Sequence, residues 1–110
     1  MDEEIAIVAL AALAQHTRLE TFRLLVRHEP DGLAAGDIAK SLAVPQNTMS
    51  AHLSILARSK LIIGDRKSRS IIYRANLEQF RQLTFFLLKD CCGEKAEVCQ
   101  PILADIKPCC

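Results

Sequence analysis

The first ninety residues of this 110-residue chain contain no cysteine, so whatever folds the body does so without disulfides. No apolar run is long enough to span a bilayer: "AIVALAALA" from Ala6 to Ala14 stops at Gln15, well short of about 18 residues. The opening "MDEE" is acidic where a secretory signal carries a basic segment, so the expectation is a cytoplasmic protein without a membrane partner. The chain has no internal repeat and no long linker, and its length allows one compact domain rather than two. The expected organisation is one domain over residues 1–92 and a cysteine-rich tail over residues 93–110. Net charge is also scarce, at +1.

That small total hides a pattern. Residues 1–57 carry four Lys or Arg against seven Asp or Glu, residues 58–74 six against one, and residues 75–110 four against five. One short stretch is therefore strongly basic. Half of all residues are hydrophobic, which is the composition of a folding chain.

Met1 to Ala14 reads as a helix, apolar on more than one side through Ile5, Val8, Leu10 and Leu13, and such a helix needs burial, including against a second chain. Thr17 and Glu20 have capping-box spacing and open a second helix with apolar positions Leu19, Phe22, Leu25 and Val26, which ends before the turn signal of Pro30, Asp31 and Gly32. A short helix follows over residues 34–42, then a turn, then a longer helix over residues 46–58. In that helix Met49, Leu53, Ile55 and Leu56 form an inward stripe, leaving Gln46, Asn47, Thr48, Ser50, Ala51 and Ser54 outward. Two helices joined by a short turn, the second polar on its outer face, make a helix-turn-helix. The period then changes: "LIIGD" and "SIIYRA" flank "RKSR" and predict a β-hairpin with a basic tip. From Leu77 a helix resumes, with Phe80, Leu83 or Thr84, and Leu87 on one face, and is expected to end near Cys92 because Gly93 follows. The fold class expected is mainly α with a β-hairpin wing.

"NTMSAHLSIL" followed by "SKLIIGDRKSRSIIYRA" resembles the recognition helix and wing of the ArsR/SmtB family of metal-responsive repressors, with Ser50, His52, Leu53, Leu56, Leu61, Arg66, Arg69 and Tyr73 on the family pattern. "HTRLETFRLL" resembles its second helix through Thr17, Arg18, Leu19 and Leu24. The chain departs from the pattern at Pro45, where a capping Ser is common, and at Lys60 and Ser68, where Gly is usual. The resemblance implies a winged helix-turn-helix that works as a homodimer on an inverted-repeat DNA site. The two apolar terminal helices are the expected seam, with ordinary core packing as the alternative.

The outer face of the residue 46–58 helix fits a major groove about 12 Å wide. Gln46 and Asn47 suit adenine edges, Thr48 and Ser50 suit phosphates or bases, and Arg66, Lys67 and Arg69 suit phosphates or the minor groove. The plain alternative is a solvated helix face and a charged turn. For His52 the family pattern suggests a structural or phosphate-contacting role, and the scatter of His16, His28 and His52 argues against a histidine zinc site.

All five cysteines fall in the last twenty residues: Cys91, Cys92, Cys99, Cys109 and Cys110. Two familiar family sites are missing. "GLAAGDIA" has Ala34 and Gly36 where arsenic sensors carry Cys-x-Cys, and the last helix, "NLEQFRQLTFFLLKDCC", has no histidine for a zinc site. Some arsenic-responsive members instead place a cysteine triad at the end of the last helix, and Cys91, Cys92 and Cys99 resemble it. Thiolates select soft ions, and trivalent arsenic takes three of them. Zinc would ask for four, which Cys109 or Cys110 would complete. A disulfide between Cys91 and Cys92 would be strained, because adjacent Cα atoms lie about 3.8 Å apart. On a continuous helix Cys92 and Cys99 would sit about 10 Å apart along the axis, whereas thiolates on one ion lie within about 4 Å of each other. Ion capture therefore requires the chain to turn back near Gly93, which would disturb the last helix and any seam it forms. No permanent cofactor is expected; the inducer would be trivalent arsenic or antimony. Cadmium, zinc, bismuth or oxidation on the same fold, and a thiol enzyme acting on arsenic, are the alternatives. The thiol enzyme is the weaker of these, because the sequence has no Cys-x-x-Cys pair.

Overall fold

A computed structural model of the protein describes residues 1–94. Five helices and three strands follow in the order α1 (Glu3–Leu13), α2 (His16–Arg27), β1 (Leu33–Ala34), α3 (Ala35–Ser41), α4 (Gln46–Arg58), β2 (Ile62–Lys67), β3 (Ser70–Ala75) and α5 (Leu77–Glu94). The strands form one antiparallel sheet in the order β1-β3-β2. The winged helix-turn-helix read from the sequence is the fold observed. Among the described residues no helix is long and apolar enough to cross a membrane.

The core gathers around Leu25 of α2, Ile38 of α3, Met49, Leu53 and Leu56 of α4, Leu61 before the wing, and Leu83 of α5, all nearly inaccessible to solvent. Met49, Leu53 and Leu56 are the inward stripe expected of α4, while Ile55 is only partly buried. Removing a side chain such as Leu53 to alanine would cost about 2–5 kcal/mol, a large share of a small domain's stability. The recognition helix is therefore held rigidly by its inner face.

Several local expectations are corrected. The second helix opens at Gln15 rather than Thr17: the Gln15 Oε1 accepts from the Arg18 backbone N–H at 2.9 Å, and Glu20 pairs instead with the His16 Nε2 at 3.2 Å. In the same helix Leu19 is exposed and Thr21 is buried in its place. The Thr21 hydroxyl donates to the Thr17 carbonyl at 2.7 Å, which removes the cost of burying it. His16 and His28 lie at the two ends of α2 rather than on separate elements. The last helix does not stop near Cys92 but continues through Gly93 to Glu94.

The terminal helices pack unlike ordinary core helices. In α1 it is Ala6, Ala9 and Ala12 that face the protomer, three residues apart along one stripe, and their small size lets the helix approach closely. The large side chains Ile5, Ile7, Val8 and Leu10 are left in solvent. In α5 Leu83 is buried, but Phe80, Phe85 and Leu87, of which Phe80 and Leu87 are inward on the sequence reading, are exposed; Phe85 reaches 66%. Phe80 keeps one partner, the Phe22 ring, at a centroid distance of 5.6 Å.

Candidate nucleic-acid interface

The helix-turn-helix is α3, the turn at residues 42–45, and α4. Two devices fix its geometry. Leu42 caps α3 and Ala43 follows with φ of 54°, donating its N–H to the Lys40 carbonyl at 3.3 Å, while the Val44 N–H reaches the Ala39 carbonyl at 2.9 Å. This is a left-handed helix stop made without glycine. Pro45 then occupies the N-cap of α4 and supplies no side-chain cap. Asn47 supplies one inside the first turn, its Oδ1 accepting from the Thr48 backbone N–H at 2.9 Å. With that oxygen engaged, the Asn47 amide offers its NH₂ group outward as a donor.

Gln46, Asn47, Thr48, Ser50, Ala51 and Ser54 are all exposed, as the sequence pattern requires. A β-carbon on Gly36 of α3 would come within 3.0 Å of the Gln46 Nε2, so the Gln46 amide lies close over Gly36. That proximity is invisible in the sequence, where Gly36 marks only the lack of a cysteine.

His52 differs from its neighbours. It is half-buried, and its Nδ1 lies 3.3 Å from the Nη1 of Arg18. Of the eight predicted DNA-facing residues, it is the one that the structure ties into the protein.

The wing is the hairpin β2–β3, paired from Ile62↔Ala75 to Lys67↔Ser70, so that Ser68 and Arg69 form a two-residue loop. Ser68 has φ of 60°, the conformation that glycine would adopt there more cheaply. Arg66, Lys67 and Arg69 are exposed at this tip, and among the described residues none of them has an ion-pair partner. Their charge is therefore available to an outside anion. Between the tip and α4 lies an open groove of about 320 Å³, lined by Gly36, Ser50, Arg66, Arg69 and Tyr73 among others. Polar helix face, hydroxyl-lined groove and cationic tip thus adjoin one another, an arrangement suited to a duplex with its phosphates against the wing.

A family model described as a helix-turn-helix domain matches residues 13–64, which span α2 to the middle of the wing. Among solved structures the chain is similar to an ArsR-like transcriptional regulator from Rhodococcus sp. RHA1, at 22% identity and a TM-score of 0.73, covering 96% of each chain. It is also similar to the AntR antimony-specific transcriptional repressor, at 29% identity and a TM-score of 0.58, covering 83% of this chain and 78% of that one. The chain carries a helix-turn-helix domain over residues 13–64, on a fold it shares with ArsR-like transcriptional regulators. A third similar structure is the homodimeric winged helix-turn-helix domain Mb0332 from Mycobacterium bovis, at 22% identity and a TM-score of 0.65, covering 81% of each chain. No curated protein matches in sequence. The Rhodococcus and AntR structures are described as transcriptional regulators, which favours DNA binding over the thiol-enzyme alternative.

The thiols are placed only in part. Cys91 and Cys92 are consecutive residues of α5, while Cys99, Cys109 and Cys110 lie outside the described residues. Among the described residues no group of three histidine, cysteine or carboxylate side chains could hold a metal ion.

Proposed function

We propose that this chain is a repressor that binds an inverted-repeat operator as a homodimer and leaves it when trivalent arsenic or antimony is captured by Cys91, Cys92 and Cys99. The observation that carries the reading is the position of the vicinal thiols. Cys91 and Cys92 belong to α5, the helix that also bears the exposed Phe85 and Leu87. An apolar face that large on two neighbouring helices, α1 and α5, fits a second copy of the chain better than water. A ligand that bends the end of α5 therefore acts on the element that sets the spacing of the two reading helices. Because α5 runs helically through Gly93, closing three thiolates around one ion requires the chain to turn after Glu94 or the last turn to unwind. The antimony-specific repressor among the similar structures supports a thiophilic trivalent ion as the signal.

Linkage makes the effect reciprocal: operator DNA weakens ion binding by the factor by which the ion weakens DNA binding. The test is arsenite titration of the reduced protein, followed by the sulfur-to-arsenic absorption band, with and without operator. One ion per three thiols, bound more weakly on DNA, is expected. Binding that survives replacement of Cys91, Cys92 and Cys99 by serine overturns the ligand set. An unchanged affinity on DNA overturns the coupling. Preferential capture of cadmium or zinc would transfer the same fold to another signal.

A further inference from the structure

Arg18 lies in the first turn of α2, half-buried, and divides its guanidinium between two other elements. Its Nε donates to the Ala12 carbonyl at 2.7 Å. That carbonyl belongs to the last turn of α1, where no helical N–H can reach it. Its Nη1 stands 3.3 Å from the Nδ1 of His52 on α4.

A guanidinium carries donors and no acceptor, so the contact has only one chemical form. The His52 Nδ1 must be the bare, accepting nitrogen, and the ring proton must then sit on Nε2. Without a partner, a histidine ring exchanges between two tautomers, one of which would turn an N–H against Arg18. We propose that Arg18 is a positioning residue for DNA binding: it locks His52 in the Nε2–H form, so that α4 offers a fixed N–H donor to a backbone phosphate oxygen. The same side chain anchors that donor to the end of α1, the helix that bears the exposed apolar face. Beside the shared core, Arg18 is thus a polar link between the end of α1 and the reading helix.

The tautomer follows from Arg18 and His52 alone; its consequence for DNA rests on the repressor reading. The closing experiment keeps the two apart. Long-range proton–nitrogen spectra of the full reduced chain, labelled at histidine, report the tautomer in free protein, with exposed His28 as the internal reference. The expected result is His52 as the Nε2–H form, shifting to a mixture in Arg18→Met, which has no donor. A wild-type ring protonated on Nδ1, or a tautomer unchanged by Arg18→Met, overturns the proposal. Should that variant not fold, Arg18→Ala is read the same way.

Operator affinity is measured in parallel. Arg18→Met is expected to lose about tenfold, the scale of one hydrogen bond to a charged group. In a His52→Gln background, where no tautomer needs selecting, the same change should cost markedly less. Losses that simply multiply overturn the positioning role. A wild-type protein that binds no operator, yet shows the Nε2–H ring, would sink the repressor reading and leave the Arg18 lock standing.

Discussion

Arg74 of β3 grips Glu29, at the end of the α2 region, with two parallel hydrogen bonds: Nε to Oε1 at 3.3 Å and Nη2 to Oε2 at 2.8 Å. The pair joins the base of the wing to the helical body across 45 residues of sequence. The carboxylate raises the Arg74 pKa further, first through the hydrogen bond and then through its charge. Because Arg74 is this occupied, it belongs to the frame of the basic stretch rather than to its DNA-facing charge. Glu29→Gln keeps the shape and loses the charge, and is expected to lower stability only slightly, since the pair is partly exposed. Urea unfolding would read that loss, and operator binding should weaken more than the stability change alone explains, because the wing is freed.

Among the described residues three positions hold left-handed backbone without glycine: Ala43 at φ 54°, Lys60 at 66° and Ser68 at 60°. Lys60 closes α4 as Ala43 closes α3, its N–H reaching the Ala57 carbonyl at 3.0 Å and the Leu61 N–H reaching Leu56 at 3.1 Å. Ala43→Gly and Lys60→Gly should each stabilise the protein by about 1 kcal/mol, visible as a thermal midpoint several degrees higher. A lower midpoint in both would show that these turns are not strained.

Glu78, in the first turn of α5, accepts from Arg81 Nε at 2.8 Å and Nη2 at 2.6 Å, and from Gln82 at 3.4 Å. Arg81 first, then Gln82, pull its pKa down to about 2. A carboxylate lowered on folding stabilises the native state above its unfolded pKa, near about 4.3, and that contribution is lost as pH falls through the folded value. Arg81→Gln should return the Glu78 titration toward the ordinary range in an NMR pH series. The variant's stability deficit should be present at neutral pH and close as pH drops toward the folded value.

Ile7 is 55% exposed on α1 and Phe85 66% exposed on α5, and neither belongs to the protomer core. Ile7→Asp with Phe85→Asp should leave the helical spectrum of the protomer intact. Sedimentation should then show a monomer, and operator affinity should fall about a hundredfold or more, because the second half-site is no longer tethered. A dimer that persists would place the seam elsewhere.

The interior of α4 and the wing were legible because each carries an unmixed periodicity: Met49, Leu53 and Leu56 at helical spacing, then β-branched runs around a basic tip. The two-residue strand β1 was not legible, since Leu33 and Ala34 are too few to show a period and pair with Tyr73 and Ile72 only through the tertiary fold. In α1, the burial of alanines beneath exposed Ile5, Ile7, Val8 and Leu10 reverses what hydrophobicity suggests for a lone protomer. A second chain over that face, as proposed, would cover these side chains. At the interface, Gln46 to Ser50 and the tip cations were read from the pattern, whereas the contacts of Gly36 and Arg18 needed the third dimension.

The central claim is tested most directly by fluorescence anisotropy of the reduced protein on a labelled promoter fragment from its own operon. Arsenite, cadmium and zinc are titrated in parallel, beside the variant with serine at Cys91, Cys92 and Cys99. The account predicts release by arsenite, no release by the other ions, and a variant that binds DNA normally but no longer lets go. Release by cadmium or zinc, or arsenite release that survives in the variant, would contradict it.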